Sequence, residues 1–386
     1  MKKIYSLFSI SICLLFLLTQ NSFSQKKETI YEKLDLFADI FNTAEKEYYK
    51  PINENEAIDG AINGMLQSLD PHSSYMNPQS FKNLNIETKG EFGGLGIEVT
   101  MEQGLIKVIS PIDDTPAFKA GIKSGDYIVK IDNHQVKGLA IDEAVNKMRG
   151  KSGTSVTLTI RRIDVSEPIV IKLNREIIKN KSVTYNFIDK EKVAYIRLKV
   201  FDENSGKEIQ DAIKDIKNHN SNIHGYIFDL RNNPGGLLVE AIKISDAFLT
   251  DGEIVSTKGR DPKDIKVYSA KSKKVDMIDG KPIIVLINEG SASASEIVTG
   301  ALKDNKRAII IGEKSYGKGS VQSIMPLSNG GGLRLTTAKY YLPGGETIED
   351  IGVMPDIIVQ RKKDNFKFND PANDNQLIYA LKLLES

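Results

Sequence analysis

Three continuous apolar segments organise the second half of the chain. They are GYIFDL at residues 225–230, PIIVLIN at 282–288 and AIIIG at 308–312. Because they are rich in β-branched residues and do not alternate with polar ones, they are typical of strands buried on both faces of a parallel sheet. Helical spacing of apolar residues recurs around them at Ile209, Ala212, Ile213 and Ile216, at Val239, Ile242, Ile244 and Phe248, and at Ile297, Val298, Ala301 and Leu302. The pattern predicts an α/β fold.

Polar and small residues concentrate where these strands meet their helices. Ser291, Ser293 and Ser295 occupy the turn after the second strand, and NNPGG at 232–236 follows the first. The first turn of a helix has unpaired N–H groups and a positive partial charge, which stabilise an anion. Since parallel strands present their carboxyl ends at one edge, the two turns are expected to face each other. A serine at such a turn is, however, more often only a helix cap.

A lysine follows the third strand in the segment SYGKGSVQ. Lys318 lies between two glycines, and a lysine acts as a general base only if burial or its neighbours lower its pKa. In an extended segment Lys318, Ser320 and Gln322 would point to one side, so that Gln322 could orient the amine. The spacing of a nucleotide-binding Walker loop is absent, which argues against a nucleotide site.

Taken together, SASASE and YGKGSVQ resemble the motifs of the C-terminal processing peptidases, also called tail-specific proteases, which are serine endopeptidases with a Ser/Lys dyad. The resemblance implies that Ser293 is the nucleophile, Lys318 its general base, and Gln322 the residue that positions the lysine. It also implies an oxyanion hole made by the backbone N–H groups of Gly236 and Ala294. The implied fold is a crotonase-like α/β protease core.

Two further segments resemble the same family. In DLRNNPGG, Asp229 and Arg231 are expected to fix the loop rather than to act in chemistry, and Pro234 stands where some relatives carry glycine. In LDPHSSY, His72 is the histidine to consider for a Ser/His/Asp triad. The nucleophile-elbow pattern GxSxG does not occur and the lysine already accounts for a base, so we do not assign His72 that role.

Residues 92–162 change to short strands, glycine turns and one helix, and they resemble a PDZ domain. A PDZ groove holds a C-terminal carboxylate on the N–H groups of a glycine-rich loop, while the peptide adds as a strand beside it. The alternative is an ordinary hairpin with a closed groove. Ala144 is also expected in the apolar wall that the helix of this domain gives the groove. The peptide-binding residues predicted here are Gly94, Leu95, Gly96, Ile97, Val99, Val145 and Met148.

The start of the chain has the pattern of a signal peptide. Lys2 and Lys3 precede an apolar run that ends at Leu18, and the small residues Ser22 and Ser24 then offer a cleavage site. The run is short for a membrane span, so we expect cleavage rather than a retained anchor. Cys13, the only cysteine, lies inside this segment, so the mature chain would have no disulfide and no cysteine metal site. These features indicate an exported, periplasmic protein.

Composition and length complete the domain prediction. With 52 Lys and Arg against 51 Asp and Glu, nothing favours nucleic acid as a partner. We expect neither a metal nor a cofactor. The predicted domains of this 386-residue chain are a signal peptide at 1–24, an N-terminal helical segment at 25–85, a PDZ domain at 86–165 and a protease core at 166–386. The helical segment would bury little alone, so it should contact the main body or a second subunit in a homodimer.

Secondary elements outside the main motifs give weaker expectations. Strands within 165–200 should connect to the main sheet, and 251–280 should form an exposed hairpin or flap. The segment LRLTTAKYY should supply a strand beside the bound peptide. A last helix with apolar Leu377, Ala380, Leu381 and Leu384 should close the core or serve dimerisation.

The sequence therefore predicts a serine endopeptidase that cleaves exported proteins after its PDZ domain has captured their exposed C-terminal tails. An activating lipoprotein or adaptor is an expected further partner. Two other classes stay open: a noncatalytic binding protein on the same fold, against which intact Ser293, Lys318 and Gln322 argue, and a PDZ adaptor whose enzyme core is inactive until a partner docks.

Overall fold

The computed structural model describes residues 29–112, 114–139, 141–163, 165–179, 181–190, 192–271, 273–362 and 373–385. The predicted signal peptide lies outside them. The described helices are α1 Ile30–Glu47, α2 Glu54–Gln67, α3 Pro78–Lys89, α4 Pro116–Lys119, α5 Ile141–Met148, α6 Ser205–His219, α7 Leu238–Phe248, α8 Ala294–Asp304 and α9 Asn375–Glu385. None of the described helices is long and apolar enough to cross a membrane.

The described strands are, in chain order, β1 Ser74–Met76, β2 Glu91–Gly94, β3 Ile97–Glu102, β4 Leu105–Pro111, β5 Tyr127–Ile131, β6 His134–Gln135, β7 Ser155–Arg161, β8 Ile169–Asn174, β9 Glu176–Lys179, β10 Val183–Ile188, β11 Val193–Leu198, β12 Gly225–Asp229, β13 Glu253–Gly259, β14 Ile265–Ser269, β15 Ile283–Ile287, β16 Ile309–Gly312, β17 Ser320–Pro326, β18 Gly332–Tyr341 and β19 Ile357–Ile358. The described residues divide into two compact units, with the boundary between Ala61 and Ile62.

The N-terminal unit contains α1 and the beginning of α2. Helix α1 begins at a capping box in which the Thr29 hydroxyl accepts from the Glu32 N–H at 3.3 Å and the Glu32 carboxylate accepts from the Thr29 N–H at 2.7 Å. Its apolar residues Leu34 and Phe37 are 55% and 42% exposed.

The central sheet of the second unit has the strand order β10-β11-β12-β15-β16-β19. Only β10 and β11 pair antiparallel, and the other neighbours are parallel. Every residue of β12 and β15 is buried. The predicted α/β core with a parallel sheet is therefore confirmed, and the carboxyl ends of β12 and β15 lie side by side.

Helices cover both faces of this sheet. On one face α6, α7 and α8 contribute buried residues to a core shared with Phe228 and Val285. On the other face α9 places Leu377 and Ala380 against Ile227, Ile284 and Leu286. The last helix thus closes the core, as one of the two expectations for it stated.

A second sheet, ordered β1-β18-β13-β14 with β17 also on β18, contains Ser320 and Gln322 of the segment SYGKGSVQ. The excursion at 251–280 forms the predicted hairpin from β13 and β14, but β13 also pairs with β18, so it is only partly exposed. Strand β17 has a register shift between Val321 and Gln322. The extra residue of this irregularity is Thr337 of β18, and Lys318, Ser320 and Gln322 all line the cleft described below.

The segment that resembles a PDZ domain forms a sheet of its own, ordered β3-β4-β5-β7-β8 with β6 on β5. Strand β8 pairs with β7 through six registered positions, so the expectation that the strands within 165–200 join the main sheet was wrong for β8, whereas β10 and β11 do join it. A strand's apolar pattern does not identify its partner. Strands β2 and β9 form a separate ribbon at the entry to and exit from this domain.

Candidate active site

Ser293 caps α8 at the turn after β15. Its backbone has φ 54° and ψ −112°, a conformation that costs a non-glycine residue free energy and is concentrated at functional sites. Its two serine neighbours are committed to structure, because buried Ser291 donates to the Leu230 carbonyl at 2.8 Å and buried Ser295 to the Asn233 carbonyl at 2.9 Å. Of the three serines, Ser293 alone lines the cleft described below.

The buried carboxylate of Glu296 joins this turn to the lysine loop. One oxygen accepts from the Ser293 N–H at 2.7 Å and from the Lys318 N–H at 2.9 Å. The other accepts from the Gly317 N–H at 2.7 Å and from the Ser315 hydroxyl at 2.5 Å. One fully buried side chain therefore holds the backbones of the two principal candidate residues in a fixed relation.

Lys318 and Ser293 line one cleft, and this cleft has a volume of about 380 Å³. Burial, and then the guanidinium of Arg334, lower the pKa of Lys318, while the Glu349 carboxylate acts in the opposite direction. The net shift is downward, which is the direction that a lysine base requires.

Gln322 lines the same cleft, but it does not form a recorded hydrogen bond with Lys318. Its amide nitrogen donates to the Thr336 hydroxyl at 2.7 Å. Its Oε1 is buried and has no partner among the described residues. An unpartnered buried acceptor is costly, so this oxygen is available to an incoming donor in the cleft.

The two predicted oxyanion donors belong to loops that touch. Gly235 and Gly236 have φ of 100° and 143°, and a Cβ at Gly235 would lie 2.6 Å from the Ala292 oxygen and 2.9 Å from the Ala294 nitrogen. Only glycine permits this approach. Within the described part of the chain, no recorded hydrogen bond engages the N–H of Gly236 or Ala294, and both residues line the cleft beside Ser293.

The sequence interpretation missed Tyr340, which also lines the cleft. Its ring is almost fully buried, and its hydroxyl donates to the Lys318 carbonyl. Burial and then the Glu296 carboxylate raise its pKa, while a hydrogen bond with Ser293 opposes the rise. The phenol is therefore a neutral group that contacts both candidate catalytic segments.

A sequence signal for Tyr340 existed. Tyr340 lies on β18 in the segment LRLTTAKYY, which was expected to supply a strand beside the bound peptide. The alternation alone could not show which face of that strand meets Ser293.

Asp229 and Arg231 form a buried ion pair where β12 leads into the glycine loop. Both are fully buried, and Arg231 donates to Asp229 at 2.6 Å and to Asp374 at 2.6 Å. Tyr195 also donates to Asp229 at 2.6 Å. Burial raises the pKa of Asp229, but the charges and hydrogen bonds of Arg231, Arg197 and Tyr195 together outweigh it and hold the pKa below its usual range. Neither residue lines the cleft, in agreement with the supporting role expected for them.

His72 is not among the residues that line the cleft. Its N–H donates to the Asp70 carboxylate at 2.8 Å, as part of a turn in which the Ser73 hydroxyl also donates to Asp70. The Ser73 hydroxyl accepts from the Thr336 N–H at 3.1 Å. The LDPHS segment thus supports β18, and the structure does not bring His72 to Ser293.

The groove predicted in the second domain is present as a cavity of about 60 Å³. Strand β3 is at the edge of its sheet and pairs only with β4, so its other edge is open. Ala144, which was also expected in the wall, is instead fully buried in the core of this domain. The cavity is lined by all seven predicted residues, Gly94, Leu95, Gly96, Ile97, Val99, Val145 and Met148, together with Phe92 and Arg149.

Comparisons with known families match three parts of the chain. Residues 192–359 match the family described as peptidase family S41, residues 93–173 match the PDZ domain, and residues 17–80 match the activating protease CtpB N-terminal domain.

Individual relatives agree with these matches. The chain is 52% identical over 349 residues to a carboxy-terminal-processing protease of Bartonella bacilliformis, covering 90% of this chain and 80% of that protein. It is 36% identical over 378 residues to the “Probable CtpA-like serine protease” of Staphylococcus aureus, covering 95% and 74%. A solved candidate S41 protease from Bacteroides fragilis shares the fold, with a TM-score of 0.52 at 15% identity, covering 88% of this chain and 98% of that one.

Proposed function

Since the chain belongs to the C-terminal processing peptidases of family S41 and is a serine-type peptidase, we propose that it is an exported endopeptidase with a Ser293/Lys318 dyad that captures its substrates by their C-terminal tails. The observation that carries the dyad is the buried Glu296 carboxylate, which binds the N–H of Ser293 and the N–H of Lys318 beside one cleft.

The reaction begins when neutral Lys318 takes the hydroxyl proton of Ser293 and the Ser293 oxygen attacks a peptide carbonyl. The negative charge that develops on the carbonyl oxygen is stabilised by the N–H groups of Gly236 and Ala294, which have no recorded acceptor in the described chain. Lys318 returns the proton to the leaving amine, and an acyl-enzyme remains. Water then attacks the ester, with Lys318 again the base.

Gln322 positions Lys318 in this scheme. Its buried Oε1 has no partner in the described part of the chain, whereas its amide nitrogen donates to the Thr336 hydroxyl at 2.7 Å. The oxygen is therefore oriented but uncommitted, and the lysine ammonium formed after proton transfer is the donor that would satisfy it.

Tail capture is supported by the open edge of β3 and the apolar groove beside it. A substrate tail would add as a strand to β3, with its carboxylate on the N–H groups of the loop around Leu95 and Gly96 and its last side chain against Val145 and Met148. Export, an activating lipoprotein or adaptor and a homodimer remain proposals from the sequence pattern and the family resemblance.

The test is cleavage of a loosely folded reporter protein by mature wild type and by Ser293→Ala and Lys318→Ala. We expect both variants to lose turnover by about 10⁴-fold or more while remaining folded. Ser291→Ala is the matched control, because it changes a serine of the same turn that donates to Leu230 instead of lining the cleft. Cleavage by Ser293→Ala at the wild-type rate would overturn the assignment.

A further inference from the structure

The cleft contains one cation that the reaction scheme does not use for proton transfer. Arg334 is half-buried on β18 and lines the cleft together with Ser293 and Lys318. Its backbone is fixed from two sides, because it pairs with Ile324 of β17 and with Ser74 of β1. The backbone of Arg334 is therefore fixed at the edge of the cleft.

Among the residues that the structure describes, Arg334 lacks the carboxylate partner that comparable arginines have. Arg162 and Arg307 are also partly buried, and each binds an aspartate at 2.7 Å. No hydrogen bond or ion pair of the Arg334 side chain is recorded among the described residues. Glu87 lines the same cleft but is exposed, and no bond joins it to Arg334. A partly desolvated guanidinium without a counterion is unfavourable unless a ligand supplies one.

We propose that Arg334 binds a carboxylate of the substrate, either an acidic side chain or the free C-terminus, at two to four residues from the scissile bond. This inference rests on the proposed function. The spacing follows from the sheet. Arg334 pairs with Ile324 of β17, which is four residues, or about 13 Å at the rise of a strand, from Ser320, and Ser320 is two residues after Lys318. The arginine side chain spans part of that distance. Guanidinium and carboxylate match in a bidentate pair, which gives direction as well as affinity.

Arg334 also affects the reaction independently of any such substrate. Its charge contributes to the lowered pKa of Lys318, so removal of the charge will change the rate for every peptide. A test must therefore compare acidic and neutral peptides on the same enzyme, since the ratio between them cancels the effect on the base.

The experiment uses a neutral apolar peptide that the enzyme cleaves and a series in which one residue at a time, from four before to four after the scissile bond, is Asn or Asp. Each peptide is made with a free or an amidated C-terminus. With wild type we expect an Asp or free-acid preference of about 10- to 100-fold in kcat/KM at one position, mainly through KM. With Arg334→Gln we expect that preference to fall to about one.

The matched control is Lys339→Gln, which removes the same charge from an exposed position of the same strand and should keep the preference. If the preference for Asp is lost in Arg334→Gln, the carboxylate that Arg334 binds is a side chain. If only the preference for the free acid is lost, that carboxylate is the C-terminus. Equal cleavage of all peptides by wild type, or a preference that survives in Arg334→Gln, would overturn the proposal.

Equilibrium binding to Ser293→Ala separates this proposal from the dyad. We expect the same peptide preference in binding to Ser293→Ala and its loss in Ser293→Ala with Arg334→Gln. Binding without preference refutes the role of Arg334 whatever the nucleophile is, whereas turnover by Ser293→Ala refutes the dyad alone.

Discussion

The candidate catalytic cleft and the candidate peptide groove differ in what holds them together: one depends on buried polar contacts and the other on apolar side chains beside an open strand edge. In the cleft, a buried carboxylate, Glu296, holds the backbones of Ser293 and Lys318 by hydrogen bonds of 2.7 and 2.9 Å. In the groove, apolar side chains such as Val145 and Met148 lie beside a strand edge whose hydrogen-bonding groups are open. Proton transfer needs atoms at fixed positions, whereas capture of varied tails needs only backbone groups and an apolar surface.

The largest effect is expected from a variant that weakens the hydrogen bonds to the backbones of Ser293 and Lys318 but keeps both side chains. In Glu296→Gln one carboxylate oxygen becomes an amide nitrogen, which would face two donors and cannot accept from either. We expect kcat/KM for every substrate to fall by about 10²- to 10³-fold, because a small displacement of the dyad has this order of effect. Steady-state kinetics would measure the loss.

Glu289→Gln is the control for that variant. Glu289 lies in the same turn but is exposed, so its substitution should leave the rate within a factor of about two. If Glu296→Gln retains wild-type kcat/KM while remaining folded by circular dichroism, the buried carboxylate does not hold the dyad as we infer.

A smaller effect is expected from the groove. Val145→Asp places a charge on its apolar wall, so KM for a reporter protein with an apolar tail should rise about tenfold, in line with the loss of a buried aliphatic contact. Cleavage of a short peptide without a tail should be unchanged, because the dyad is untouched. Lys147→Asp, on the same helix but outside the groove lining, should leave both reactions as in wild type. Equal losses for the two substrates would show that the groove does not act through tail capture.

The difference between the regions also explains what the sequence could predict. The parallel core follows from continuous apolar runs, and the groove residues follow from a local glycine loop and one helix, so Leu95 and Met148 could be placed together. Each signal lies within a short stretch of chain. The structure brings Ser293 and Lys318 to one cleft as predicted, although their roles remain proposals.

What the sequence did not disclose depends on contacts between distant segments. Glu296 resembles an ordinary N3 capping residue until the lysine loop is seen to fold over it. Tyr340 and Arg334 both belong to β18, and which side chains of this strand face the cleft depends on its pairing with β17. Strand β8 was assigned to the wrong sheet for the same reason. Burial and pairing partners, rather than residue types, carry this information.

The central claim is that neutral Lys318 activates Ser293, and the most direct test is the pH dependence of covalent labelling of Ser293 by a fluorophosphonate. Because burial and Arg334 lower the pKa of Lys318, the neutral base is fully present above that pKa and is lost as pH falls through it. The account predicts modification at Ser293, a labelling rate that rises with pH along a limb centred below the ordinary lysine value of 10.5, and no such limb in Lys318→Ala. Labelling of Lys318→Ala at the wild-type rate with the same pH limb would contradict it.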